Sequence, residues 1–325
     1  MSEQNTAFDY SVEIDFDACT SCGLCEAFCP VDVFEMDSYP VIVQPEACWG
    51  CETCSGQCPE QCIKIIPNPN AKPVEVAKRA EDLGKEEKEL YASWAKKLKD
   101  ILNLRWEPVS ISLIKKGEPL PDVPIPNEHM RYCQSLLAAR RGLSIMLPVN
   151  RHACPDGTSI LGLSEMPKKL ASGELYILFH KLATVEAAQQ MVKERPHLDP
   201  YTIEATVVTP LAKAKTQPEV IAVTATPEQM MWLSMATSYY TGHRHDFHAS
   251  GYNAQCVEVT LLPYLNHEIN ISFGCYGCRA STDIGDEYMV MGIPVSVMPD
   301  VIKGLEELGK KAIPQSRSKI YLPPC

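Results

Sequence analysis

Eight cysteines stand in two runs of one spacing. Cys19, Cys22, Cys25 and Cys29 precede Pro30, and Cys48, Cys51, Cys54 and Cys58 precede Pro59. Each run reads C-x2-C-x2-C-x3-C-P. Thiolates are soft donors, suited to iron-sulfur clusters or zinc rather than to hard cations. Three cysteines two residues apart can wrap a short loop around three corners of a cluster. A tight loop cannot reach the far corner, so the fourth ligand must come from elsewhere in the chain. The proline stops the local segment from continuing as ordinary hydrogen-bonded structure. Structural zinc is usually held by paired C-x2-C motifs, not by tandem runs of this kind. The spacing, and a start that lacks a basic and an apolar leader region, argue against reading the 15 cysteines as a disulfide framework.

The two runs resemble those of bacterial-type ferredoxins, in which the fourth cysteine of each run ligates the other of two 4Fe-4S cubanes. That resemblance covers residues 10–67. It implies Cys19, Cys22, Cys25 and Cys58 around one cluster, and Cys48, Cys51, Cys54 and Cys29 around the other. Cys62, three residues past Pro59, reads as a small buried hydrophobe.

Charge follows the same boundary. Residues 1–72 hold twelve acids and two bases, a net of -10 out of -11 for the whole chain. An acidic electron carrier is steered toward a basic docking surface, and such association weakens with salt. No basic patch stands out, which disfavours nucleic acid. No apolar run is long enough to span a bilayer, and the start lacks a signal peptide, so the expectation is a cytoplasmic protein of an anaerobic or low-oxygen host.

Around the cysteines, alternation predicts short strands at 11–16, 31–34, 41–43 and 62–66. Pro67 to Pro73 reads as a linker. A charged helix is expected over 74–103, with Leu90, Trp94, Leu98, Ile101 and Leu102 on one face. Beyond it the chain alternates. Strands are expected at 109–114, 176–179, 202–208, 220–223, 257–262 and 269–273. Helices are expected at 128–141, ending at Gly142, at 184–194, from a Thr226-Pro227 capping box to about 240, and at 299–311. A strand-helix-glycine unit recurs before Cys154 and before Cys256, which leaves an internal duplication open.

The larger region resembles an uncharacterised prokaryotic family, domain of unknown function 169. The carrying residues are Met130 to Gln134, Ala138 to Gly142, Cys154 with Leu161 to Leu163, Phe273 to Arg279, Asp286-Glu287, and Gly292 to Pro294. The resemblance covers roughly residues 85–320 and implies no reaction. The residues therefore carry the chemistry. Seven cysteines lie outside the runs: Cys62, Cys133, Cys154, Cys256, Cys275, Cys278 and Cys325. Cys275 and Cys278 could join Cys154 and Cys256 in a third metal or cluster site, act as a redox dithiol, or be buried in a structural turn. Arg279, with Arg140 and Arg141, could hold an anionic cofactor. His243, His245 and His248 could ligate a metal or meet a tetrapyrrole, or form a polar loop. No phosphate loop or dinucleotide fingerprint appears.

The expected fold is α+β. A ferredoxin-like domain at 1–67 is followed by a linker and helix at 68–104 and a mixed α/β domain at 105–325. The expected function is single-electron transfer through two 4Fe-4S clusters, to or from the C-terminal domain or a redox partner. An oxidoreductase with a third metal, cluster or tetrapyrrole cofactor is the alternative. A homo-oligomer or a subunit of a larger complex fits either reading.

Overall fold

A computed structural model describes residues 9–69, 71 and 79–318. Cys325, positions 70, 72 and 73 of the expected linker and 74–78 of the expected charged helix lie outside those residues, and 79–84, also expected as helix, are not helical. The fold is α+β, and the chain separates into two compact units that are not continuous in sequence. The first takes residues 1–77, 125–132 and 147–204; the second takes 78–124, 133–146 and 205–325. Domain boundaries expected in chain order do not anticipate this interleaving.

In the first unit, β1 (Tyr10–Ile14) pairs antiparallel with β4 (Ile63–Pro67), and β2 (Phe34–Met36) with β3 (Pro40–Ile42). Short helices Leu24–Phe28 and Thr53–Gln57 follow the two cysteine loops. The apolar core here is small. Val33, Phe34 and Ile63 bury themselves among Cys25, Cys29, Cys54 and Cys62. Later in the chain, Leu170, Leu175, Tyr176 and Ala188 form a separate apolar cluster. Residues 176–179, expected as a strand, instead end helix Glu174–Leu178, with Phe179 as its C-cap. Gly173, in the left-handed region at φ 85°, opens that helix. The helix over Val185–Glu194 starts as expected at Thr184, whose hydroxyl accepts the Ala187 N–H at 3.2 Å.

The second unit is built on a six-stranded sheet. Its strands are β5 (Val109–Lys115), β6 (Ile145–Pro148), β7 (Ile203–Pro210), β8 (Val220–Ala225), β9 (Asn270–Ser272) and β10 (Met289–Pro294). Their order is β6-β7-β5-β8-β10-β9, with β5–β8, β8–β10 and β10–β9 antiparallel. β5 and β8 are buried along nearly their whole length, as central strands covered on both faces are. The two serines of β5 are satisfied inside: Ser110 hydrogen-bonds the Thr209 hydroxyl at 2.7 Å, and Ser112 donates to the Gln217 carbonyl at 3.2 Å.

Helices Lys85–Leu102, Pro227–Thr237 and Met298–Lys310 share one apolar core with β8 and β10. The first of them starts at Lys85. Its buried face is Tyr91, Trp94, Ala95, Leu98 and Leu102, while Leu90, expected on that face, is exposed. The Thr226 capping box forms, with Thr226 and Gln229 each bonding the other's backbone N–H. Gly304 permits the helix approach there, because a Cβ would stand 2.3 Å from the Ala236 carbonyl oxygen. Residues 257–262, expected as a strand, are helical: Ala254–Leu261 winds as a π-helix and continues into Leu262–Asn266. The duplication does not extend to the cysteines. Cys154 caps a helix, whereas Cys256 lies within the π-helix.

Candidate metal centre

The two cysteine runs adopt the same backbone. In the first loop Ser21 and Gly23 are left-handed, at φ 54° and 74°; in the second Gly50 and Glu52 are, at 61° and 57°. Both positions are two and four residues past the first cysteine. Alternating left- and right-handed residues turn successive N–H groups inward, the concavity that receives anionic groups such as iron-sulfur clusters. The fourth cysteines, Cys29 and Cys58, end the two helices in the same extended conformation, at ψ 116° and 115°. Three residues on, Asp32 and Gln61 are again left-handed, at φ 53° and 52°. Gly50 is the tightest point. A Cβ on it would stand 2.4 Å from the Tyr10 ring.

This symmetry delivers the thiols in two groups. Cys19, Cys22, Cys25 and Cys58 line one cavity, so the fourth cysteine comes from the opposite run. Cys29 lies within electrostatic range of Cys48, Cys51 and Cys54. Burial pushes the thiols of Cys25, Cys29, Cys48 and Cys54 up, Cys48 to about 11. The Cys29 sulfur accepts the Val33 N–H at 3.3 Å. The donor set is all sulfur, four thiols to each group, with Cys25, Cys29 and Cys54 buried, so the residues fit 4Fe-4S clusters. Among the described residues no three His, Cys, Asp or Glu side chains close around a single metal ion. Ligands of a cubane bind separate irons and stand further apart than those of one zinc.

Cys62 is more than the small hydrophobe the sequence suggests. It is buried, yet it lines the same cavity, and its sulfur lies 3.3 Å from Cys58 Sγ. Burial and the bond to Cys58 keep the Cys62 thiol protonated, so it donates. Burial works against the Cys58 thiolate, but hydrogen bonds from Cys62, Glu60 and Gln61 outweigh it and hold Cys58 low.

Residues far along the chain complete the first unit around the second group. The His129 ring donates from Nδ1 to the Trp49 carbonyl at 2.9 Å, and the His129 N–H bonds the Tyr10 hydroxyl at 2.8 Å. Arg131 donates to the Cys51 carbonyl at 3.1 Å. Lys169 donates to the carbonyls of Glu26 at 2.7 Å and Cys29 at 3.2 Å, and pairs with Asp32 at 2.8 Å. Nothing in the sequence marks these three donors, because each acts on backbone carbonyls that only the fold brings near.

The remaining candidates scatter. Cys154, in the first unit, caps helix Pro155–Ile160 by accepting the Gly157 N–H at 3.4 Å. In the second unit, Cys256 donates to the Asn253 carbonyl at 3.5 Å, and Cys275 caps helix Tyr276–Ser281 by accepting the Cys278 N–H at 3.4 Å. Arg279 is a clamp for its own loop, donating to the carbonyls of Phe273, Gly285 and Tyr288. His245 bonds the Thr237 hydroxyl and stacks on Phe247, and the His248 N–H bonds Asn270, which makes the histidine run a polar loop. Cys278 is different. It is 2% exposed and lines a small cavity with Cys133, Arg140, Gln255 and Thr282. The sequence names Cys133 only among the cysteines outside the runs and gives it no role, since its partner lies 145 residues away.

The paired loops and their grouped thiols define an iron-sulfur domain of the ferredoxin class, and residues 11–59 match the family described as a 4Fe-4S dicluster domain. Residues 97–304, more than half the chain, match DUF169, described as Uncharacterised ArCR, and the chain belongs to that family. No curated protein and no solved structure matches it.

Proposed function

We propose that this is an electron-transfer protein that passes single electrons through two 4Fe-4S clusters, to or from its C-terminal region or a redox partner. The observation that supports this most is the exchange of fourth cysteines, with Cys58 in the cavity of Cys19, Cys22 and Cys25, and Cys29 beside Cys48, Cys51 and Cys54. These are the proposed ligands of the two clusters. Each cluster, when bound, takes up and releases one electron. The chain's own residues hold the thiolates, exclude water and set the local charge. The acidic surface of residues 1–72 favours a partner with a basic docking face. No described helix is long and apolar enough to cross a membrane; a cytoplasmic setting is part of the proposal.

The test is iron and acid-labile sulfide per chain on anaerobically purified protein, with EPR of the reduced form. About eight irons per chain is the content of two cubanes. Stoichiometric zinc in place of iron, or iron content unchanged by both Cys19→Ser and Cys48→Ser, would overturn the reading. A second reading, an oxidoreductase with its own centre in the C-terminal region, is favoured by the buried cavity around Cys278.

A further inference from the structure

The cavity of the second unit joins two cysteines from distant parts of the sequence. Cys133 comes from helix Tyr132–Arg140 and Cys278 from helix Tyr276–Ser281. The Cys133 thiol hydrogen-bonds the Cys278 sulfur. Gln255 Nε2 donates to that sulfur at 3.4 Å, and the Thr282 hydroxyl lies 4.0 Å away. Arg140, 3% exposed and held by Asp283 at 2.7 Å, lines the same space over the Trp106 ring. Among the described residues, Arg140 Nε and Gln255 Oε1 are buried without a hydrogen-bond partner. The space is small, with room for roughly one water molecule, so it suits chemistry between its own walls rather than a large cofactor.

We infer that Cys133 and Cys278 are a redox-active dithiol, a site that interconverts with a disulfide. Donors aimed at Cys278 make it the thiolate of the pair: the Cys133 hydrogen bond, then those of Gln255 and Thr282, outweigh burial and bring Cys278 down to about 6. In the oxidative direction the Cys133 S–H bond is lost, one S–S bond forms to the Cys278 thiolate sulfur, and one proton and two electrons leave. The electrons pass singly to two one-electron acceptors of the iron-sulfur class. In the reductive direction two such donors supply the electrons and one proton returns to the Cys133 sulfur. Cys275, the nearest cysteine in sequence, accepts the Cys278 backbone N–H, whereas the thiol that bonds the Cys278 sulfur is that of Cys133. The inference rests on the electron-transfer reading for its acceptors, but the thiol pair stands or falls by itself.

The experiment uses the full chain with its metal content intact, poised anaerobically across a series of dithiothreitol redox buffers. Remaining thiols are alkylated and the disulfides mapped by mass spectrometry. The expected result is a peptide joining Cys133 to Cys278 that appears and disappears reversibly with potential. It should be lost in Cys133→Ser and kept in Cys275→Ser. A coulometric titration of the oxidised chain should take two more electrons in the wild type than in Cys133→Ser. The inference is overturned if Cys278 joins Cys275, if both cysteines alkylate fully at every potential, or if the two chains take equal numbers of electrons. Mapping on the unaltered chain needs no variant. Iron content and EPR of the same samples report the clusters separately, so failure of the thiol pair and failure of the electron-transfer reading give different results.

Discussion

Lys169→Gln should lower the reduction potential of one cluster and spare the other. Lys169 donates to the carbonyl of Cys29, the proposed fourth ligand of the second cluster, at 3.2 Å. Standard bond lengths then place its charge within roughly 7 Å of the Cys29 sulfur. A unit charge at roughly 7 Å and an effective dielectric near 20 contributes about 2 kcal/mol. Asp32 sits on the same ammonium at 2.8 Å, and the side chain is 21% exposed, so the charge is partly cancelled. About 1 kcal/mol remains after that cancellation, which is about 40 mV for a one-electron couple. The sign follows from charge: a reduced cluster gains an electron, a nearby cation favours it, and removing the cation lowers the potential. An EPR-monitored redox titration resolves the two clusters. Asp32→Asn should move the same cluster the other way. Equal shifts of both clusters, or an upward shift in Lys169→Gln with full iron content, would refute the reasoning.

Three further outcomes follow from the geometry. Gly50→Ala must fit a left-handed residue and a Cβ 2.4 Å from the Tyr10 ring, a loss of about 1–3 kcal/mol; Gly56→Ala, with open space around it, should be near neutral, both read by thermal unfolding. Cys62→Ala removes the thiol that bonds Cys58, so the potential of the first cluster should fall while that of the second holds, read by the same titration. Burial raises the Glu219 carboxyl to about 7 although its Oε2 accepts the Leu113 N–H at 3.0 Å. The folded state then binds the proton more tightly than the unfolded state, so stability is highest below the unfolded value and falls as pH rises from about 4.3 toward 7. Glu219→Gln should flatten that part of the pH–stability curve by at most about 4 kcal/mol, and an unchanged curve would remove Glu219 from the account.

Features with a local cause could be read from the sequence. The cysteine spacing forces a loop and a returning ligand, and Thr226 with Pro227 starts a helix by chemistry within four residues. Short apolar runs carried less. Tyr176 to Phe179 and Val257 to Leu262 suit a strand or a buried helix equally by pattern, and the packing around Ala188 and β10 makes both helical. β10 itself went unexpected because Gly292 interrupts its apolar pattern; a Cβ there would stand 2.0 Å from the Val259 carbonyl oxygen. At the sites, the eight run cysteines were legible, whereas Cys133, Arg131 and Lys169 were not. Each depends on a contact between segments at least 80 residues apart for Arg131 and 140 for Lys169, and no periodicity reports such a meeting.

The interleaving of the first unit has a consequence for how the protein is made. Its eight run cysteines are all translated within the first 58 residues, but His129, Arg131 and Lys169, which hold the Trp49, Cys51 and Cys29 carbonyls, come much later. A nascent chain therefore exposes all eight thiols on the ribosome well before the segments that lock their loops exist. Iron delivery must either wait for residue 169 to emerge or work on loops still open, and a fragment cut at residue 77 would stay in that unfinished state.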